Sequence, residues 1–185
     1  MEQLLSGLYG ALIATILSIV YLYFSRQIKL RFDVMLEVVG YCDDIYHRIS
    51  MMHVHKNNMY TKKKPGLTDD EYRKLSQELT VLLKSSKVRA KVALVYGEGP
   101  VLEKFNELSV SFVEASSILR KATRAAWVVE ENKKMNDIFE KRIDILRNQL
   151  EISLLKYARV NGVIRTLTFR YLPTFSGVLR LTNRK

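Results

Sequence analysis

An uncharged run of 21 residues near the N-terminus, residues 4–24, most constrains what this chain can fold into. As a helix rising about 1.5 Å per residue, it would match the roughly 30 Å hydrocarbon core of a bilayer. A cleaved signal peptide is the alternative, but residues 1–3 carry no basic side chain and no small-residue cleavage site is evident. We therefore expect residues 1–27 to contain a single transmembrane helix that stays attached.

The charges on either side of the run predict its orientation. Arg26, Lys29 and Arg31 follow it closely, whereas Glu2 is the charged side chain that precedes it. Under the positive-inside rule, the N-terminus lies outside and the C-terminal part lies in the cytoplasm. We expect the three basic side chains to contact an anionic lipid surface. A reducing cytoplasm also suits a chain whose only cysteine is Cys42.

Small residues recur every fourth position within the run, at Ser6, Gly10, Ala14 and Ser18. That spacing places them along one face of a helix, where they would let two helices approach closely in lipid. We interpret this face as a surface for helix–helix packing in the membrane.

Beyond the run, apolar residues repeat at intervals of three and four in four stretches, which indicates helices. The predicted buried stripes are, in order, Met35, Val38, Cys42, Ile45, Ile49 and Met52; Tyr72, Leu75, Leu79, Leu82, Ser86, Ala93 and Tyr96; Val101, Phe105, Leu108, Phe112, Ala115, Leu119, Ala122 and Ala126; and Phe139, Ile143, Leu146, Leu150 and Tyr157. We predict helices at about 28–57, 68–96, 101–130 and 135–160. Thr68 and Glu71 form a capping-box signature at the second start, and Gly97 and Pro100 mark the turn before the third helix. The last boundary depends only on a polar run at 130–134, so one continuous helix from 101 to 160 remains an alternative.

Four helices of similar length with short connections are typical of an up-down-up-down bundle. The predicted fold is therefore all-α: a single N-terminal transmembrane helix followed by a cytoplasmic antiparallel four-helix bundle over residues 28–160, with coiled-coil-like packing. The first bundle helix could continue the transmembrane helix, because Gly40 is the only Gly or Pro between residues 25 and 57.

Residues 161–185 contain five basic residues, several aromatic residues and no acidic residue. The connectivity of the predicted bundle would return this tail to the membrane, where each basic residue would gain about 1 kcal/mol beside anionic lipid. The predicted contacts are Arg165, Phe169, Arg170, Tyr171 and Arg180. A tail packed on the bundle, with its arginines in water, is the alternative.

Motifs for catalysis or for cofactor binding are not evident. The sequence has no phosphate-binding glycine loop and no paired-cysteine or H-E-x-x-H metal signature, so we expect no cofactor and no metal. We interpret Cys42 as a small core residue, Asp43 with His47 as a surface pair, and His53 and His55 as solvated. The remaining expectation is that Arg142 pairs with Glu37 or Asp44.

These features favour a membrane-anchored, non-enzymatic interaction protein, a scaffold or adaptor that binds itself or an unidentified protein partner as well as the bilayer. A membrane-perturbing, pore-forming effector is the alternative. A nucleic-acid-binding module is less favoured despite the formal net charge of +11, since no recognised nucleic-acid motif accompanies it.

Overall fold

The computed structural model describes the backbone of residues 2–62, 66–97 and 99–159, and the side chains of these from Gly7 onward, except Lys62. All regular secondary structure in these residues is helical. The predicted tail contacts Arg165, Phe169, Arg170, Tyr171 and Arg180, and the side chain of Ser6, lie outside the described residues.

The helices are α1 (Glu2–Asn57), α2 (Asp69–Lys84), α3 (Lys87–Tyr96), α4 (Pro100–Lys121), α5 (Arg124–Ala126), α6 (Asn132–Ile138) and α7 (Asp144–Ala158). Three π-helical turns accompany them, at Asn58–Lys62, Trp127–Glu131 and Phe139–Ile143. The first follows α1 directly, and the other two join α5, α6 and α7 into one helical run. We call residues 124–158 the C-terminal run.

The described residues divide into two compact units, one made of residues 2–33 and 155–159 and the other lying within residues 34–154. The described part of the first unit contains the apolar part of α1 and the last turn of α7. The second unit contains the hydrophobic core, to which the rest of α1 and the other helices except α5 contribute.

Two of the predicted apolar stripes are buried as expected. On α1 the predicted residues Val38, Cys42, Ile45, Ile49 and Met52 are buried, and Val34 is buried in place of the predicted Met35, which is half-buried. On α4 the buried residues are Val101, Phe105, Leu108, Phe112, Ala115 and Leu119, followed by Ala122 just beyond its end, whereas Ala126, the last residue of the predicted stripe, is only half-buried. In both stretches the three-and-four repeat alone identified the buried face, which confirms these stripes.

The helix predicted at 68–96 is interrupted. The capping box is confirmed, because Thr68 Oγ1 accepts from the Glu71 N–H and the Glu71 carboxylate accepts from the Thr68 N–H. The helix then ends at Lys84, the next residue Ser85 has an extended backbone, and the chain becomes helical again at Lys87 as α3. The interruption changes the phase of the stripe, so that Val88 enters the core while Arg89 stays exposed.

The boundary predicted at 130–134 was wrong. Helix α4 ends at Lys121, and Thr123 caps the next helix by accepting from the Ala126 N–H at 3.4 Å. Residues 130–134 lie within the C-terminal run, where Lys134 pairs with Glu130 at 2.6 Å. The continuous helix from 101 to 160 was wrong too.

Side chains from elsewhere in the fold explain this boundary. The Lys56 ammonium donates to the Ala122 carbonyl at 3.1 Å, and the Tyr72 hydroxyl donates to the Leu119 carbonyl at 3.0 Å. Because the last carbonyls of a helix have no partner within it, these donors stabilise an end at this position.

The π-helical turns change the spacing of buried residues in the C-terminal run. Ile138 and Ile143 are both buried although they are five apart, and Phe139, predicted in the stripe, is only half-buried. A π-helical turn inserts one extra residue, so an apolar repeat of three and four cannot follow the buried face across it.

Polar and aromatic contacts in the second unit pair positions along α1 with positions along the neighbouring helices. From α1 to α2 and α3 they join Glu37 with Lys91, Tyr41 with Leu82, and Arg48 with Glu78. From α1 to the C-terminal run they join Asp43 with Arg147, Tyr46 with Phe139, and His53 with Asn132. In both sets the residue number falls along the partner as it rises along α1.

Candidate functional site

The apolar part of α1 is exposed on every side. The aliphatic side chains of residues 8–22 point in all directions around the helix, and examples such as Leu8 and Leu17 are 67% and 62% exposed. Within the described residues, α1 is the one helix long and apolar enough to cross a membrane, and no residue of its most apolar 18-residue stretch is buried. A helix that is apolar all round does not suit water as its surroundings.

The hydroxyl groups of Thr15 and Ser18, in this part of α1, are satisfied within the helix. Thr15 Oγ1 donates to the Ala11 carbonyl and Ser18 Oγ to the Ala14 carbonyl, each at 2.8 Å. A hydroxyl bonded in this way needs no water, and it therefore suits hydrocarbon surroundings.

The predicted small-residue face is open in the described residues. A Cβ added at Gly10 would meet no atom within 4 Å, and Ala14 and Ser18 are exposed. Gly7, which lies about 100° around the helix from Ser6 and therefore between Ala14 and Ser18 on the same face, is equally open. The structure thus leaves room for a second helix on this face without showing one.

The three basic residues that follow the apolar run differ in how far they are exposed. Arg26 and Lys29 are exposed, as a contact with a lipid surface requires. Arg31 is only 3% exposed, and its Nη1 donates to the Tyr157 carbonyl in the last turn of α7 at 2.7 Å. A cation bonded to a carbonyl at a helix C-terminus stabilises that end, so Arg31 has a structural role in place of the expected surface contact.

At the other end of α1, three polar residues, His53, His55 and Lys56, are drawn into the protein. His55 and Lys56 are buried and His53 is half-buried, although we expected the histidines to be solvated. His55 Nδ1 accepts from the Leu67 N–H at 2.9 Å, and its ring lies 4.8 Å from that of Tyr72. Burial lowers the pKa of His55, and the neighbouring Lys56 charge lowers it further.

Lys56 joins three elements at this end. In addition to the Ala122 carbonyl, its ammonium donates to the Tyr60 hydroxyl at 3.1 Å and lies 5.4 Å from the Tyr72 ring centre. The sequence signal was available, because position 56 continues the stripe of Ile45, Ile49 and Met52 by one more step of four. We did not identify it because a lysine interrupts the apolar pattern.

His53 lies between two aromatic rings of the C-terminal run. Its ring centre is 5.4 Å from that of Trp127 and 5.6 Å from that of Phe139, and its Nε2 is 3.0 Å from Asn132 Oδ1. Burial lowers the pKa of His53, and the hydrogen bond to Asn132 opposes this in part. Trp127, the only tryptophan in the chain, is fully buried here.

A groove of about 340 Å³ opens beside His55. Met51 and Val54 of α1 line one side, Gly66 and Leu67 line the other, and the exposed His47 reaches it from the preceding turn of α1. The sequence did not predict this groove, because residues 66–67 are brought to α1 by the fold.

The cluster around Cys42 does not form a reactive site in the structure. Cys42 is buried, and burial raises the pKa of its thiol to about 12, which keeps it protonated at neutral pH. Asp43 pairs with Arg147 at 2.6 Å, so its predicted pairing with His47 was wrong. Among the described side chains, no three His, Cys, Asp or Glu residues are grouped so that they could hold a metal ion.

The predicted partner of Arg142 was wrong as well. Arg142 donates to Glu114 of α4 at 2.7 Å. The expected acids have other partners, since Glu37 accepts from Lys91 at 2.6 Å and Asp44 pairs with Arg48 at 3.4 Å. The helix break at 122–123 sets which part of α4 lies opposite Arg142, and the sequence did not predict that break.

Comparisons of the chain with protein-family models, with curated proteins and with solved structures found no match.

Proposed function

We propose that this chain is a membrane-anchored, non-enzymatic interaction protein. In this proposal α1 crosses the bilayer once with its N-terminus outside, and residues 34–154 form a cytoplasmic antiparallel four-helix bundle that binds itself or a protein partner. The observation that carries the proposal is the apolar part of α1, which is exposed on all sides in a chain that otherwise buries its apolar stripes.

The direction in which contacting residues follow one another along neighbouring helices supports the antiparallel bundle. As the residue number rises along α1, the number of the contacting residue falls along α2 and α3 and along the C-terminal run. Across α4 and the C-terminal run, Arg142 pairs with Glu114, and only residues 122–123 connect the two segments. Short connections between helices of this kind favour antiparallel neighbours.

The same helix gives less support to a pore. A water-filled lumen needs polar groups that face it, and Thr15 and Ser18 direct their hydroxyl hydrogens to carbonyls of their own helix. A single span that associates through small residues agrees better with these bonds.

Exposed branched residues in the second unit support a role in protein contacts. Val110 and Val113 of α4 and Ile145 and Ile152 of α7 are each about half exposed or more. Scattered apolar residues are common on protein surfaces, so they support a partner without identifying it.

Cysteine labelling in intact cells tests the span and its orientation. The native Cys42 is a slow-reacting background, because it is buried and its thiol pKa is raised. A membrane-impermeant maleimide should label Gln3→Cys in intact cells and the exposed position Lys133→Cys only after permeabilisation. The reverse pattern would overturn the orientation, and extraction of the protein by alkaline carbonate would overturn the membrane anchor.

Crosslinking in native membranes tests self-association. Gly10→Leu fills the open position on the small-residue face and should reduce the crosslinked dimer several-fold. Thr15→Leu places the same side chain at an exposed position about 140° around the helix from Gly10, off that face, and it should leave the dimer unchanged. Equal effects of the two variants would argue against this face. A different protein crosslinked reproducibly would identify an adaptor.

A further inference from the structure

The segment that leads into α2 is tied to α1 by one imidazole. The Leu67 N–H donates to His55 Nδ1 at 2.9 Å, and His55 is 5% exposed. A nitrogen that accepts a hydrogen bond carries no proton, so this ring is neutral with its proton on Nε2. The approach is close enough that a Cβ added at Gly66 would lie 2.5 Å from Nδ1, and glycine therefore fits this position.

The charged and titratable groups around His55 come from three elements. Lys56 is its neighbour on α1, Tyr60 lies on the following π-helical turn, where it binds the Lys56 ammonium, and Asp69 and Tyr72 belong to α2. The Lys56 charge opposes a second positive charge on the imidazole, whereas the Asp69 carboxylate favours one. Burial is the larger influence, and together with Lys56 it outweighs Asp69.

The same hydrogen bond sets one wall of the groove. Gly66 and Leu67 face Met51 and Val54 across it, and the Leu67 backbone is held against α1 by His55. Loss of this bond would therefore free one side of the groove while the α1 side stays in place. The other histidine that lines the groove, His47, is exposed and is not bonded to residues 66–68 in the described part of the chain.

We propose that His55 is an acid-sensitive latch that holds residues 66–68 against α1 and releases them when the imidazole is protonated. A proton from solvent binds Nδ1, which then becomes a donor that faces another donor, the Leu67 N–H. The bond is lost, the segment separates from α1, and the groove widens. The latch acts within residues 34–154 and does not depend on the membrane anchor.

The pH range follows from the direction of the pKa shift. The pKa of His55 in the folded protein lies below its ordinary value of 6.5. The unfolded chain therefore binds more protons than the folded chain between these two values. The latch is fully closed above the ordinary value, weakens as the pH falls below it, and opens once the pH passes the folded pKa.

Hydrogen exchange of the full-length protein in detergent micelles tests the latch. The protection factor of the Leu67 amide, corrected for intrinsic exchange, should fall about tenfold between roughly pH 7.5 and pH 5, while amides in the middle of α4 change little. In His55→Gln the side-chain oxygen still accepts a hydrogen bond but does not titrate, so protection at Leu67 should not depend on pH. His53→Gln is the matched control, and it should keep the wild-type response at Leu67.

Equal pH dependence at Leu67 in wild type and His55→Gln would overturn the latch. If His55→Gln does not fold, nitrogen NMR of the wild-type imidazole decides the question. The His55 ring and the Leu67 amide should then titrate with one midpoint. A Leu67 amide that does not change while His55 titrates, or global unfolding before His55 takes up a proton, would reject the proposal.

Discussion

The two halves of α1 belong to one continuous helix but differ in how apolar residues are arranged around it. Between residues 7 and 23, apolar side chains occupy every face and all of the large ones are well exposed. Between residues 34 and 57, they form a stripe that includes Ile45 and Ile49, which are fully buried, while the exposed positions outside the stripe include polar residues such as Asp44 and His47. The arrangement, more than the amount, of apolar residues separates a helix that packs on protein from one that needs other surroundings.

This difference has an energetic consequence. Each buried Ile or Leu in the second half contributes about 1.5–3 kcal/mol to folding. The large side chains of the first half have no such burial in the described part of the chain, and in the proposed function the bilayer supplies it. Substitutions in one half should therefore change membrane insertion, and substitutions in the other half should change the stability of residues 34–154.

The largest expected effect comes from two charges in the exposed half. We expect Ile13→Arg combined with Leu17→Arg to raise the cost of insertion by about 5–7 kcal/mol, since each arginine near the centre of a span costs about 2.5–3.5 kcal/mol. The protein should move from the carbonate-resistant membrane fraction to the soluble or aggregated fraction.

The matched control places the same charges on exposed isoleucines elsewhere. Ile145→Arg with Ile152→Arg changes two residues that are 48% and 65% exposed on α7, so it should leave the protein in the membrane fraction. If the first double variant stays in the membrane like the control, the apolar half of α1 is not the anchor.

A smaller effect is expected when one isoleucine is shortened in the buried half. Ile45→Ala should reduce the free energy of unfolding by about 2–5 kcal/mol, because it leaves a cavity at a fully buried position. Urea unfolding in micelles can be followed by the fluorescence of Trp127, the only tryptophan, which is buried in the same unit. Ile16→Ala makes the same change in the exposed half of α1 and should leave this transition unchanged.

An unchanged transition in Ile45→Ala would mean that the buried stripe contributes little to the stability of the unit. A shift of equal size in Ile16→Ala would mean that the two halves do not differ in this respect.

The features that the sequence predicted well are those governed by local rules. The repeat of three and four identified the stripes on α1 and α4, and the Thr68–Glu71 pair identified the start of α2. Each depends only on residues within a few turns of one helix, so no knowledge of the fold was needed.

The features that the sequence missed depend on residues distant in the chain. The end of α4 is stabilised by Lys56 and Tyr72, and the partner of Arg142 depends on where α4 ends. The burial of His55 requires residues 66–67 to fold back onto α1. Neither an apolar repeat nor a capping motif contains such information, which becomes available only once the helices are packed.

The smallest effect concerns this long-range stabilisation of the α4 end. Lys56→Met keeps the length of the side chain but removes the donor to the Ala122 carbonyl, which is then left without that partner. Removing a buried charge offsets part of the loss, so we expect the free energy of unfolding to fall by only about 1–2 kcal/mol. Amides around 122–126 should exchange faster, because the end of α4 and the start of α5 would no longer be held by Lys56.

Lys134→Met is the matched control. It removes an exposed lysine paired with Glu130, and it should leave the free energy of unfolding unchanged within the error of the measurement. A Lys56→Met protein as stable as the wild type, with unchanged exchange at 122–126, would show that the break at Ala122 is set by Thr123 and its own sequence, and the boundary would then belong with the locally encoded features of the chain.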